Sequence, residues 1–298
     1  MTAAALLALV PLAPAVAQVV VTVSGDTAYA QIALTGPLGQ PYDADVTIQF
    51  DTPQHLTPGN LNLTAQVISP LDPVLVSRLP AGTFVDPAFP VLITIEPLNL
   101  PWLFKNGFDN LDAGGNLSFI NTYQIDVHTA DLECQPNTPY RLFKAPLGGA
   151  FFDLSADVRR GSVRGRGRGG GFSQFMLIRD PRLEVISVLG INVPVIALAK
   201  VTVLETRIIA AALNNVLQLN LLGLLANVQT ALLVLDYTTA LLNIDQLIDQ
   251  IHLHAGVDLP NQWRAERDLT NDAGDIEGLA ASLRYSILRL QSPGACPL

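Results

Sequence analysis

Charge is scarce in this chain. Only 14% of its 298 residues are Asp, Glu, Lys or Arg, against 49% hydrophobic, a balance that excludes the charge-rich disordered class and describes a polypeptide that folds around apolar cores. The charge present runs negative, with a formal net charge of −9 and a pI of about 4.8. That excess argues against nucleic acid as the partner of the whole molecule, because contact with a polyanion needs surplus Lys and Arg. Histidine is limited to His55, His128, His252 and His254, and none forms a zinc motif with the two cysteines. Glycine loops that cradle phosphate are missing, and the nearest approach to a serine elbow, Gly171-Phe172-Ser173-Gln174-Phe175, lacks the closing glycine. The sequence therefore nominates no catalytic residue, no metal ligand and no cofactor.

The first charged residue is Asp26. Ahead of it, Ala3 to Val16 form an apolar run, and Ala15-Val16-Ala17 before Gln18 has the small-x-small pattern of a signal-peptidase site. Residues 1–17 thus read as a signal peptide, the mature chain begins near Gln18, and the expected location is the periplasm or the extracellular medium. The signal lacks the Lys or Arg that ordinarily opens one, which points to a start upstream of Met1 or to an unusual signal. In an exported chain the two cysteines have one intramolecular connectivity, Cys134 to Cys296. Such a bridge would tie the C-terminal tail to the first half and is worth on the order of 4 kcal/mol; two free thiols are the alternative.

What is present divides into two periods. From Val19 to about Arg182 apolar residues recur every second position, as on half-buried strands. Val19–Ser24 and Thr27–Leu34 flank Gly25-Asp26 as a hairpin. Leu61, Leu63, Ala65 and Val67 alternate with polar residues, as do Leu117, Phe119, Tyr123, Ile125 and Val127, and further strands are expected at Val46–Phe50, Val91–Ile95, Tyr140–Lys144, Phe151–Val158 and Phe172–Ile178. After Asp180-Pro181 the period becomes helical. Leu269, Ala273, Ile276, Ala280, Leu283, Ile287 and Leu290 step by four and three, with Gly274 and Gly278 inside the stripe at a cost of about 1 kcal/mol each. Helices are also expected over 195–214, 216–236 and 239–254, the last capped by Thr238 or Thr239 and stopped at Gly256, with a restart at Pro260. The expected fold is α+β and multidomain: an antiparallel β-sandwich over 18–182, then an antiparallel helical bundle over 183–298 with a short C-terminal tail.

No charge lies between Arg207 and Asp236, a span long enough to cross a bilayer. Six amides within it, Asn214, Asn215, Gln218, Asn220, Asn227 and Gln229, are expensive in hydrocarbon and favour a buried helix pair over a membrane anchor.

One charge cluster stands out. Up to position 158 the mature chain holds fourteen acidic residues against four basic ones; then Arg159, Arg160, Arg164, Arg166 and Arg168 fall within ten residues, spaced by glycine. Arginine forks suit phosphate or carboxylate, so this run is a candidate anion site. The competing reading is a solvent-facing edge strand whose positive charges block edge pairing, with Gly169-Gly170-Gly171 as its turn. Asp109–Asn116 and Asn271–Asp275 are oxygen-rich but lack the ligand order of a calcium hand; the first reads as a loop and the second as the exposed face of the last helix. Asp126 with Asp131 and Asp153 with Asp157 read as solvated carboxylates.

Leu142-Phe143-Lys144-Ala145-Pro146-Leu147-Gly148-Gly149, Gly170–Phe175 and Trp263-Arg264-Ala265-Glu266-Arg267-Asp268-Leu269, together with Ser69–Pro73 and Ala88–Leu92, resemble an uncharacterised family of exported bacterial proteins, a domain of unknown function. The resemblance implies a β-rich front followed by helices and carries no catalytic residues. The leading expectation is a non-enzymatic binding or structural protein of the envelope, its partner a protein, a polysaccharide or a lipid. An alternative is a carrier of an apolar or lipid ligand in the helical part; a hydrolase comes last.

Overall fold

The computed structural model describes residues 17–99, 115–134, 138–159, 161–188 and 191–292. The signal peptide through residue 16, Arg160, Cys296 and the oxygen-rich stretch 109–114 lie outside the described residues, and so do the side chains of Cys134 and Arg159. In chain order the strands are β1 (Ala17–Ser24), β2 (Thr27–Thr35), β3 (Pro41–Phe50), β4 (Pro53–Gln54), β5 (Leu63–Val67), β6 (Phe84–Val85), β7 (Val91–Ile95), β8 (Ser118–Ile120), β9 (Tyr123–Cys134), β10 (Tyr140–Ala145), β11 (Phe152–Asp153), β12 (Ser155–Arg159), β13 (Gly161–Gly169), β14 (Gln174–Arg179), β15 (Ile186–Val188), β16 (Ile191–Val193) and β17 (Gln262–Arg264). The helices are α1 (Pro58–Leu61), α2 (Pro73–Val76), α3 (Val195–Ala210), α4 (Asn215–Leu233), α5 (Tyr237–His254) and α6 (Asp272–Gln291).

Antiparallel sheets make up the N-terminal part, and the long helices lie toward the C-terminus. One six-stranded path runs β1-β2-β3-β9-β13-β12, and a second sheet runs β11-β10-β14-β7-β5 with β6 added to β14. In β2 and β3 buried and solvent-facing residues alternate along the strand, which is what strict period-two patterning produces when one face of a sheet is covered. The covered faces of both sheets share one apolar cluster, with Ile32, Val46, Ile48 and Ile125 from the first and Ile93, Leu142, Phe175 and Leu177 from the second. A separate apolar cluster holds α3 to α6 together through Leu204, Leu221, Leu225, Ile244, Leu247 and Leu283. By length and composition α4 is long and apolar enough to cross a membrane; its Leu217, Leu221, Leu225, Val228 and Leu232 stripe is buried in that cluster.

Several local expectations change. Leu61 ends the short helix α1, whose cap Thr57 accepts the Asn60 N–H, and the strand begins only at Leu63. The alternating stretch 117–128 is not one strand: Asn121 takes φ +58° and divides it into β8 and β9, which belong to different sheets. Asp236, not a threonine, caps α5 by accepting the Thr239 N–H. After Pro260 the chain forms β17 in place of a helix restart and returns to pair with β8. Trp263 thereby stacks on Phe119 at 5.5 Å and meets Phe172 edge-on at 5.1 Å, joining the C-terminal part to the sheet aromatics.

The arginine strand is also repositioned. β13 is flanked by β9 on one side and β12 on the other, so it is an interior strand and not an edge. Its glycines face inward because their neighbours leave no room for a side chain: a Cβ at Gly165 would stand 2.8 Å from Leu177, and one at Gly167 2.9 Å from Leu154. The arginines occupy the alternate, outer positions.

Candidate functional site

A cleft of about 500 Å³ opens where the sheets meet the helices, between β10 to β14 on one side and α3 and α6 on the other. Most of its wall is apolar, formed by Phe152, Leu154, Phe172, Val203 and Leu279. Among its polar residues Lys144 from β10, Arg207 from α3 and Asp275 from α6 lie together at a polar end, Asp275 being 3.7 Å from Lys144 and 3.1 Å from Arg207. These residues lie far apart in sequence and are brought together by the packing of α6 on β12 and β13 and of α3 on α6.

The polar end is built around carboxylates at the start of α6. Arg207 donates to Asp272 Oδ1 at 2.6 Å and to Asp275 Oδ2 at 3.1 Å, while Asp272 Oδ2 accepts the Ala212 N–H at 2.8 Å. Asp275 Oδ1 accepts the Gly170 N–H at 3.2 Å. Carboxylates in the first turn of a helix also complement its positive end. The expectation that 271–275 lies on an exposed helix face is thus overturned: Asn271 and Asp272 are buried, because α6 carries a second contact face against the sheet in addition to its apolar stripe.

Lys144 is the least satisfied group here. Its side chain is only 8% exposed, yet its nearest carboxylate oxygen, Asp275 Oδ1, is 3.7 Å away, outside hydrogen-bond reach. Its ammonium also lies 5.7 Å from the Tyr123 ring centroid. Burial pulls the lysine's pKa below its ordinary value, with the Asp275 charge opposing and the Arg207 charge assisting. Tyr123 is shifted the other way, held well above the usual phenol range by burial and then by Asp275, and its hydroxyl donates to the Gly171 carbonyl at 2.9 Å.

A smaller cavity of about 180 Å³ shares Phe152, Val203 and Leu279 with the cleft and contains a second buried lysine. Lys200 pairs with Asp153 Oδ2 at 2.7 Å and donates to Ser282 Oγ at 2.8 Å and Ser282 O at 3.1 Å. Asp153 would be raised by its burial, but the Lys200 and Arg141 charges outweigh this and hold it below the usual carboxylate value. Asp126 and Asp153 are accordingly not solvated surface carboxylates. Asp126 is buried beneath Arg164 and Arg166, at 3.5 and 3.0 Å, and Asp153 beneath Lys200.

The candidate anion patch does not form a cluster of free guanidinium groups among the described residues. Arg164 and Arg166 share Asp126, and Arg168 pairs with Glu277 at 3.0 Å. His252 and His254 point apart, the first to Glu277 at 3.1 Å and the second to Asp258 at 2.6 Å. A Cys134–Cys296 bridge falls outside the described residues.

One constellation was missed by spacing. On the outer face of the first sheet Asp45 on β3 stands directly opposite His128 on β9, and Ser162 on β13, in register with Glu133 beside a β-bulge, reaches His128 diagonally. His128 Nε2 is hydrogen-bonded to Ser162 Oγ, and its Nδ1 lies 3.5 Å from Asp45 Oδ2. The three residues are separated by 83 and 34 positions, and the pairing of β3, β9 and β13, with the bulge between Ser162 and Val163, brings them together. A groove of about 370 Å³ runs beside Asp45 and His128.

A model of one protein family matches residues 3–291, which include both the sheets and the helices that enclose the cleft. The chain belongs to DUF6689, a family of unknown function. No curated protein and no solved structure matches it. The family's description names no activity, so the functional reading rests on the chemistry of the cleft.

Proposed function

We propose that this member of DUF6689 is an exported binding protein that carries one apolar ligand, an acyl chain ending in a group with acceptor oxygens, in the cleft between its two parts. In this reading the two sheets that share a core form a β-sandwich domain over 18–182, and α3 to α6 form an antiparallel bundle domain over 183–298. The observation that carries it is the pairing of an apolar cleft of about 500 Å³ with one under-bonded cation, Lys144, at its polar end. That volume is within the range of small-molecule sites, whose walls are mostly apolar with a few orienting polar groups. The core of the helices is itself filled by leucines and isoleucines, which favours a ligand between the parts over one inside the helical part.

Titration of the full chain with a dansylated fatty acid tests the proposal. Wild type is expected to bind with enhanced, blue-shifted emission. Val203→Trp, which places a ring in the cleft from a half-exposed position on α3, is expected to weaken binding by at least about tenfold, equivalent to ~1.4 kcal/mol. Absence of binding by wild type, or unchanged binding by the variant, would sink the carrier reading.

A second reading, ester hydrolysis, is favoured by the Asp45–His128–Ser162 constellation, which arranges a hydroxyl, a base and an orienting carboxylate in the order of a nucleophilic triad. It ranks second because the Asp45 side chain is 64% exposed, so water screens the charge that would hold the imidazole. This reading requires a fluorophosphonate probe to modify Ser162 and the label to disappear in Ser162→Ala and His128→Ala; peptide mass spectrometry showing unmodified Ser162 in wild type eliminates it.

A further inference from the structure

Two lysines are buried at the junction of sheets and helices, and they are in different states. An ammonium has three protons to donate. Lys200 has a partner for each of them in Asp153 Oδ2, Ser282 Oγ and Ser282 O. Lys144 is buried to the same degree, 8% against 10% side-chain exposure, and stands 3.7 Å from its nearest carboxylate among the described residues. That carboxylate is already engaged by the Gly170 N–H and by Arg207. The hydroxyl of Tyr123, whose ring lies beside the amine, is committed to the Gly171 carbonyl. Lys144 lines the cleft, so the protons its protein neighbours leave unengaged face the space a ligand would occupy. Lysine is moreover rare in this chain: Lys105, Lys144 and Lys200 are the whole set among 17 Lys and Arg.

An amine that is desolvated, beside a second cation and open to an apolar cleft has the environment in which lysine attacks carbonyl carbon. We propose that Lys144 captures the carbonyl group of an apolar aldehyde or ketone in the cleft as a reversible imine, with Asp275 relaying the proton. The step is balanced without an oxidant or reductant. The neutral Nζ lone pair forms a bond to the carbonyl carbon as the C=O π pair moves to oxygen, and Asp275 carries one of the two nitrogen protons to that oxygen to give a neutral carbinolamine. Asp275 then carries the remaining nitrogen proton to the hydroxyl, the C–O bond breaks, and water leaves with both protons as C=N forms. Burial favours the neutral amine that begins the sequence. This inference rests on the ligand-binding reading of the cleft and adds the chemical class of the ligand's head group.

The test uses the full chain with decanal and sodium cyanoborohydride, an external hydride donor that reduces an imine to a stable secondary amine. Peptide mass spectrometry then reads the decyl adduct on Lys144, Lys105, Lys200 and the N-terminal amine in a single sample. Lys144 is expected to be modified at least about tenfold faster than Lys105. Lys144→Arg is expected to lose the adduct, and Asp275→Asn to slow it several-fold with Lys105 modification unchanged. Val203→Trp keeps the amine and narrows the cleft, so it is expected to suppress modification of Lys144 alone, which preserves the test if the other variants fold poorly. Equal modification of Lys144 and Lys105, or none at Lys144, overturns the imine. If the dansylated acid still binds in that case, the carrier reading stands without it; if the acid does not bind either, both fall.

Discussion

Replacing Lys200 with methionine is expected to lower folding stability by roughly 3–5 kcal/mol at neutral pH, because it leaves the Asp153 carboxylate buried without its ammonium partner. The Asp153 side chain is 6% exposed and that of Lys200 10%, with 2.7 Å between the charged atoms. The effect comes from the orphaned charge more than from the attraction lost, so Lys200→Met combined with Asp153→Asn is expected to recover a large part of the deficit. The pH dependence follows from the same point. In wild type Asp153 is held below its ordinary value of 3.8, so its contribution to stability is present above pH ~4 and is lost as pH falls through the depressed folded value. In Lys200→Met the main offset to burial is gone, and protonation of Asp153 removes the uncompensated charge. The gap between variant and wild type should therefore be widest near pH 7 and narrow as the solution is acidified toward pH ~4. Urea midpoints at pH 7 and pH 4, with unchanged slopes, would measure it; a gap that does not change with pH would show that Lys200 acts through packing and not through charge.

How much of this was legible in the sequence depends on how local the cause was. The alternation of β2 and β3 and the helical stripe Ala273, Ile276, Ala280, Leu283, Ile287 and Leu290 could be read because each element has one dominant buried face, and period alone reports a single face. Alternation was silent about Lys144, because in β10 every residue from Arg141 to Ala145 is buried, whichever face of the strand it occupies. Asp272 misled for the related reason that α6 is buried nearly all round: residues off the heptad stripe belong to its contact with β12 and β13. β17 is three residues long, too short for any period to register, yet it returns the chain to β8. The cleft is lined from β10 and α6, and β17 stands behind it through the Trp263 contact with Phe172. Lys144 and Asp275 are 131 positions apart and meet only through tertiary packing, so the candidate site was the part of the molecule that pattern reading was least able to find.

The glycines of α6 give a sharper separation of local from tertiary causes. On helix propensity alone, Gly278→Ala should stabilise the protein by about 1 kcal/mol. The structure predicts the opposite sign. A Cβ at Gly278 would collide with the carbonyl oxygen of Arg168, and one at Gly274 would stand 2.5 Å from Asn121 O and 2.6 Å from the Gly170 Cα. Those obstacles are backbone atoms of the sheet region, which cannot turn aside as a side-chain tip can, so α6 itself would have to lift from the strand. Overpacking of this kind costs roughly 1–3 kcal/mol, occasionally more, and lifting α6 also strains the Arg168–Glu277 pair and moves Asp275 in the cleft wall. A net loss of about 2 kcal/mol is expected for Gly278→Ala. Gly223 supplies the internal contrast: it lies mid-helix in α4, and a Cβ there would meet nothing within 4 Å. Gly223→Ala should therefore raise the thermal midpoint while Gly278→Ala lowers it. Two chemically identical substitutions with opposite effects would show that α6 is fixed by close backbone contact with the sheet, and two effects of the same stabilising sign would show that it is not.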